Sequence, residues 1–166
     1  MRPLHAALAL TALAACSTAP RPAAVAVPES LKPAAGELAM IVPAKGVQIY
    51  ECRDNQWAFV APEADLFDAS GKRIGRHYAG PQWEAADGSK VAGSVKARAD
   101  APQAGAIPWL LLEARSLGGE GAFSKVTSIQ RVATRGGVAP AGGCAPAGAR
   151  LRVDYTADYY FFREKD

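Results

Sequence analysis

Leu66-Phe67-Asp68-Ala69-Ser70-Gly71-Lys72-Arg73-Ile74-Gly75 is echoed by Gln82-Trp83-Glu84-Ala85-Ala86-Asp87-Gly88-Ser89-Lys90-Val91-Ala92-Gly93. In both phrases strand-like residues run into a turn built from Asp, Gly and Ser. A Lys, a β-branched residue and a Gly follow. Turn formers set between short β-prone runs are the mark of hairpins. With Trp57-Ala58-Phe59-Val60, His77-Tyr78 and Val95 on either side, residues 57–97 read as an antiparallel meander. The shared phrase is too short to indicate a duplicated domain.

The same signals continue in both directions. Leu38-Ala39-Met40-Ile41-Val42 and Gly46-Val47-Gln48-Ile49-Tyr50-Glu51-Cys52 make two runs separated by Pro43-Ala44-Lys45. In the second, Val47, Ile49 and Glu51 alternate with Gln48, Tyr50 and Cys52, so each set occupies one face. Ile107-Pro108-Trp109-Leu110-Leu111-Leu112 does not alternate, which fits a strand covered on both faces, although the pattern alone also admits a buried helix. Val126, Ile129 and Val132 are spaced as in a helix, but the β-branched density of 126–132 favours a strand. Residues 136–148, with five glycines and two prolines, form a loop. Tyr155-Thr156-Ala157-Asp158-Tyr159-Tyr160-Phe161-Phe162 closes the chain as a strongly β-prone run. About ten short strands and hardly a helix predict an all-β fold, an antiparallel sandwich or barrel.

The N-terminus reads as an address. Arg2, the apolar run 6–12 and Leu13-Ala14-Ala15-Cys16 have the form of a signal peptide ending at a lipidated cysteine. The expected organisation is a lipoprotein signal peptide at 1–15, an acylated Cys16 with a Pro/Ala-rich tether at 16–36, and a single β domain at 37–166. The last residues of the tether could instead lie along the domain. Ser17 follows Cys16 where Asp would signal retention in the inner membrane. The expected location is therefore the outer membrane of a Gram-negative envelope, facing the periplasm.

Composition sets further bounds. Loss of Arg2 with the signal leaves 18 of the 19 Lys and Arg against 16 Asp and Glu, with no basic run, so nucleic acid is not an expected partner. Of the cysteines, Cys52 and Cys144 remain after acylation of Cys16. Export to an oxidising compartment predicts a disulfide between them. His77 is the one histidine beyond the signal, so no zinc site is expected, and no motif calls for a cofactor.

Blocks of this chain are similar to those of a known family. Ala44-Lys45-Gly46-Val47-Gln48-Ile49-Tyr50-Glu51-Cys52, Pro62-Glu63-Ala64-Asp65-Leu66-Phe67-Asp68 and Gly75-Arg76-His77-Tyr78-Ala79-Gly80-Pro81-Gln82-Trp83-Glu84 resemble a domain of unknown function catalogued under the number 3455. Asp87-Gly88-Ser89-Lys90-Val91, Ile107-Pro108-Trp109-Leu110-Leu111, residues 126–132 and Ala157-Asp158-Tyr159-Tyr160-Phe161 extend the resemblance over nearly all of 37–162. It implies a small exported domain of bacteria and fungi, with no established activity, cofactor or catalytic residue to carry over.

Two functional readings compete, with a purely structural envelope protein as a third. The first is a non-enzymatic domain binding a small ligand or an envelope partner. Its candidate residues are His77, Trp83, Glu84, Arg131 and Tyr160, aromatic and charged groups on a β scaffold. The rival is a hydrolase-like enzyme using His77 as base with Glu84 or Asp65 as the orienting carboxylate. Neither a Gly-x-Ser-x-Gly motif nor a phosphate loop occurs. Arg131, inside an otherwise apolar segment, calls for a partner, with Asp65, Glu84 and Asp158 as the candidates.

Overall fold

A computed structural model describes residues 25–165. The predicted signal peptide and Cys16 lie outside the described residues. Eight antiparallel strands follow a single 3-10 turn, Glu29–Leu31: β1 (Glu37–Arg53), β2 (Gln56–Phe67), β3 (Arg73–Tyr78), β4 (Gln82–Ala85), β5 (Lys90–Ala99), β6 (Trp109–Gly118), β7 (Val126–Gly136) and β8 (Arg150–Arg163). Each strand pairs with the next, and β8 returns to β1 to close a barrel. Of the two architectures left open by the sequence, the barrel is the one formed.

The turns explain the repeated phrase. Asp68 Oδ1 accepts hydrogen bonds from the amide and hydroxyl of Ser70 at 2.9 and 2.6 Å. Asp87 Oδ1 takes the same pair from Ser89 at the same distances. Gly71 and Gly88 supply the left-handed residue of each turn, at φ 82° and 88°. The β1–β2 hairpin uses Asp54 and Asn55, both at positive φ, residue types that tolerate this region.

Two expectations change in detail, the break at Pro43 and the number of strands. The runs 38–42 and 46–52 belong to one strand of 17 residues, not two. Pro43 does not interrupt it, because β2 pairing starts at Ala44 and only β8 flanks the strand at that point. A missing N–H is tolerated where one side of the strand is unpaired. Residues 126–132 are strand, as their β-branched content indicates. The total is eight strands because several of the short runs are halves of long ones.

Inside the barrel the core gathers Leu66, Trp83, Val91, Leu112, Ile129 and Phe161, all nearly inaccessible. Gly93 makes room for the indole: a Cβ there would come within 2.9 Å of the Trp83 ring. The β6–β7 connection folds across one end as a plug. Phe123 stacks on Phe161 at 4.6 Å, with the Phe123 amide donating to Ser89 Oγ and the Ala122 amide to Asp87 Oδ2.

A second cluster lies on the outer wall. Leu31, Trp109, Val132 and Tyr160 are buried there, beneath Val25 and Val27. Residues 25–36 therefore run along the barrel as a strap, pinned where the Gln130 side-chain amide donates to the Leu31 carbonyl at 2.6 Å. The strap accounts for the unbroken apolar run at 109–112: Leu110 and Leu112 face the interior, while Trp109 and Leu111 face the strap.

Cys52 and Cys144 are joined, tying the 137–149 loop to the end of β1. Closing a loop across a separation of 92 residues is worth about 4.6 kcal/mol in the chain-entropy account. Replacing either cysteine by serine should lower unfolding stability by about 2–5 kcal/mol in denaturant titration. Thiol assay of the unreduced, denatured protein should find neither thiol free.

Candidate functional site

In an up-and-down barrel alternate connections gather at opposite ends. The β1–β2, β3–β4, β5–β6 and β7–β8 connections therefore crowd the end away from the Phe123 plug. At that end a cavity of about 830 Å³ enters the barrel, within the size range of small-molecule sites. Trp83, Leu112 and Tyr159 belong both to its wall and to the packed core, so they form its floor. Phe59, Val60, Val95 and Val138 line it toward solvent and are themselves exposed, with Phe59 and Val95 both over half accessible. The entrance is thus an apolar rim, of the kind that marks a binding groove.

Strand parity decides which candidate residues meet. His77 pairs with Trp83 across β3 and β4, and both point inward. Their rings stack at 4.3 Å, with Tyr159 edge-on to each at 5.1 and 5.3 Å. Arg76 pairs with Glu84, one residue further along each strand and therefore on the outer wall. There Glu84 Oε2 accepts from Arg76 at 2.8 Å and from the Tyr78 hydroxyl at 2.9 Å. These hydrogen bonds hold its carboxyl below the ordinary range. Asp65 is also outside, paired with Arg73, and Glu63 with Arg152. Neither Glu84 nor Asp65 reaches His77, so the acid–base pair that the hydrolase reading requires is not assembled.

Of the five proposed ligand-contacting residues, His77, Trp83 and Arg131 line the cavity. Glu84 is on the outer wall. Tyr160, adjacent in sequence to the inward Tyr159, faces out and is covered by the strap, where its hydroxyl accepts the Val25 amide at 3.2 Å. Arg131 has no carboxylate partner among the described ion pairs; its Nε and Nη2 donate to the Pro108 carbonyl at 3.1 and 2.8 Å. Asp158, one of the partners expected for it, shares the outward face of β8 with Tyr160.

The cavity also draws on residues that the sequence did not single out. Gln48 and Tyr50 come from the inward face of β1, and the Tyr50 hydroxyl donates to the Gly137 carbonyl at 2.6 Å. The Tyr155 and Tyr159 hydroxyls lie 3.3 Å apart. Burial raises the pKa of Tyr50, Tyr155 and Tyr159, so all three stay protonated. The alternation in 46–52 carried this signal, but it did not say which face was inner.

His77 is fully enclosed, and its Nδ1 lies 2.8 Å from the Gln82 carbonyl. Burial lowers its pKa to about 3, with the nearby Arg131 charge acting in the same direction. A histidine neutral when folded but protonated when unfolded stabilises the fold fully above its unfolded pKa of 6.5. That contribution is lost as pH falls from there toward 3, at about 1.4 kcal/mol per pH unit. His77→Phe, which keeps a ring against Trp83, should flatten this part of the acid limb. Chemical denaturation of both proteins across this range checks it, and identical slopes would refute the assignment.

No curated protein and no solved structure matches the chain. The model of one family, described as a protein of unknown function (DUF3455), matches residues 33–163. That span takes in all eight strands and every residue of the cavity wall, and the chain belongs to this family.

Proposed function

We propose that this protein is a non-enzymatic binding domain that holds one small, largely apolar molecule inside its barrel, on a lipid anchor at Cys16 in the bacterial envelope. The observation that carries the reading is the cavity: an apolar rim leading to an aromatic floor, with no Asp or Glu in its wall. An eight-stranded barrel has an interior of the right width for side chains alone or for one small ligand. Here the interior is packed at the plugged end and hollow at the other. Burying an apolar guest releases about 25 cal/mol for each Å² removed from water, without any catalytic group.

The chemistry of the wall weighs against the hydrolase alternative. His77 accepts a proton only well below neutral pH, its ring is stacked on Trp83, and the carboxylates meant to orient it are on the other side of the sheet. The envelope address rests on the Leu13-Ala14-Ala15-Cys16 sequence and on the disulfide, which suits an oxidising compartment.

Titration with the neutral fluorescent probe N-phenylnaphthylamine should give saturable, one-site enhancement. Leu110→Trp, which fills the cavity from its wall, should weaken probe binding by about tenfold or more while a cooperative melt is retained. A wild-type protein that leaves the probe dark would refute the binding reading. For the anchor, Cys16→Ser should abolish partition into detergent and remove the acyl mass from the intact-protein spectrum. Wild-type protein lacking that mass would refute it.

A further inference from the structure

We propose that the molecule held in the barrel is an amphiphile with one acidic head group, of the fatty-carboxylate kind, and that Arg131 receives the head. The inference rests on the binding reading above and narrows it. The polar groups of the cavity wall are unbalanced. Arg131 and Arg98 are both in the wall and no Asp or Glu accompanies them. His77 is neutral, so it supplies no compensating charge of either sign.

Arg131 is the interior charge. Its field is felt by Tyr50, His77 and Tyr159 of the cavity wall and by the buried Tyr155, residues of the three strands β1, β3 and β8. It meets only neutral acceptors, the Pro108 carbonyl and the Tyr159 hydroxyl. A guanidinium carries more N–H donors than these two oxygens take up, and a partly buried cation without a counter-charge is costly.

A wall cation with spare N–H donors and no counter-charge fits an anionic acceptor; a carboxylate matches the planar fork of arginine and brings one negative charge. A cationic guest has no acid to meet it. A wholly apolar guest would enclose the Arg131 charge with neutral acceptors alone and no counter-ion. The rest of the wall, with Phe59, Val95, Leu110 and Leu112, is suited to an alkyl tail.

The test displaces N-phenylnaphthylamine with dodecanoate, dodecanol and dodecyltrimethylammonium, one tail with three head groups, using wild type, Arg131→Gln and Arg98→Gln. Glutamine at 131 keeps an amide donor for the Pro108 carbonyl while removing the charge. We expect dodecanoate to bind about tenfold more tightly than dodecanol, as a charge-assisted contact would give. The trimethylammonium compound should not compete. Arg131→Gln should bring dodecanoate down to the level of dodecanol and leave dodecanol unchanged, and Arg98→Gln should preserve the preference. Equal binding of acid and alcohol by wild type would overturn the head-group site and leave the cavity reading standing. A preference that survives Arg131→Gln, or vanishes only in Arg98→Gln, would move acid recognition to the rim and overturn the assignment. Displacement by none of the three would reject a long-chain amphiphile, whereas failure of the reporter itself would remove the binding reading as well. Should Arg131→Gln not fold, the wild-type comparison of acid with alcohol still decides.

Discussion

Everything in this molecule depends on the seam between its first and last strands. β1 pairs with β8 from Glu37↔Arg163 to Glu51↔Arg150, almost the full length of both. The seam turns a meander of hairpins into a closed surface with no edge strand to protect. It also fixes the diameter, and hence whether the interior can be hollow. The disulfide strengthens one end of the seam, holding the long 137–149 loop against the end of β1. At the other end the Arg163 guanidinium donates to Glu37 at 2.8 Å.

Inside that closed surface, sheet parity sorts the chemistry. Acidic side chains such as Glu63, Asp65 and Glu84 are on the outer wall; Asp65 and Glu84 each pair with an arginine of the neighbouring β3, and Glu63 reaches across β1 to Arg152 of β8. Such exposed pairs contribute little to stability. Their effect is on placement: negative charge lies outside the barrel and the Arg131 guanidinium inside it. On the binding reading proposed above, that asymmetry of charge is what would make the hollow selective among guests.

Local structure was legible in the sequence because it is locally determined. The Asp-x-Ser turns at 68–70 and 87–89 fold through contacts two residues apart, and the hairpins around them follow. Closure was not legible, because Tyr155–Phe162 pairs with residues more than a hundred positions away and no short-range signal names that partner. Pro43 misled by its ordinary role as a breaker, since the unpaired side of β1 that makes it harmless is visible only in three dimensions. The candidate site was half legible. His77, Trp83 and Arg131 do share one cavity, but Glu84, expected as a carboxylate, and Tyr160, expected as an aromatic, each sit directly beside an inward residue, Trp83 or Tyr159. In a strand the adjacent residue is the one that points away. Strict use of that period would have removed both. Gln48 and Tyr50 were hidden for another reason: the face they share is less apolar than the Val47 and Ile49 face, yet it is the one turned inward.

The docked strap alters the mechanics of attachment. For a chain held by lipid at Cys16, as proposed, a freely extended linker through residue 36 would reach about 60 Å at 3.1 Å per residue. With Val25 already fastened to Tyr160 on the barrel wall, only the stretch before it can pay out, about 25–30 Å. On that proposal so short a leash would keep the barrel within roughly its own width of the bilayer surface and attach it by its side wall.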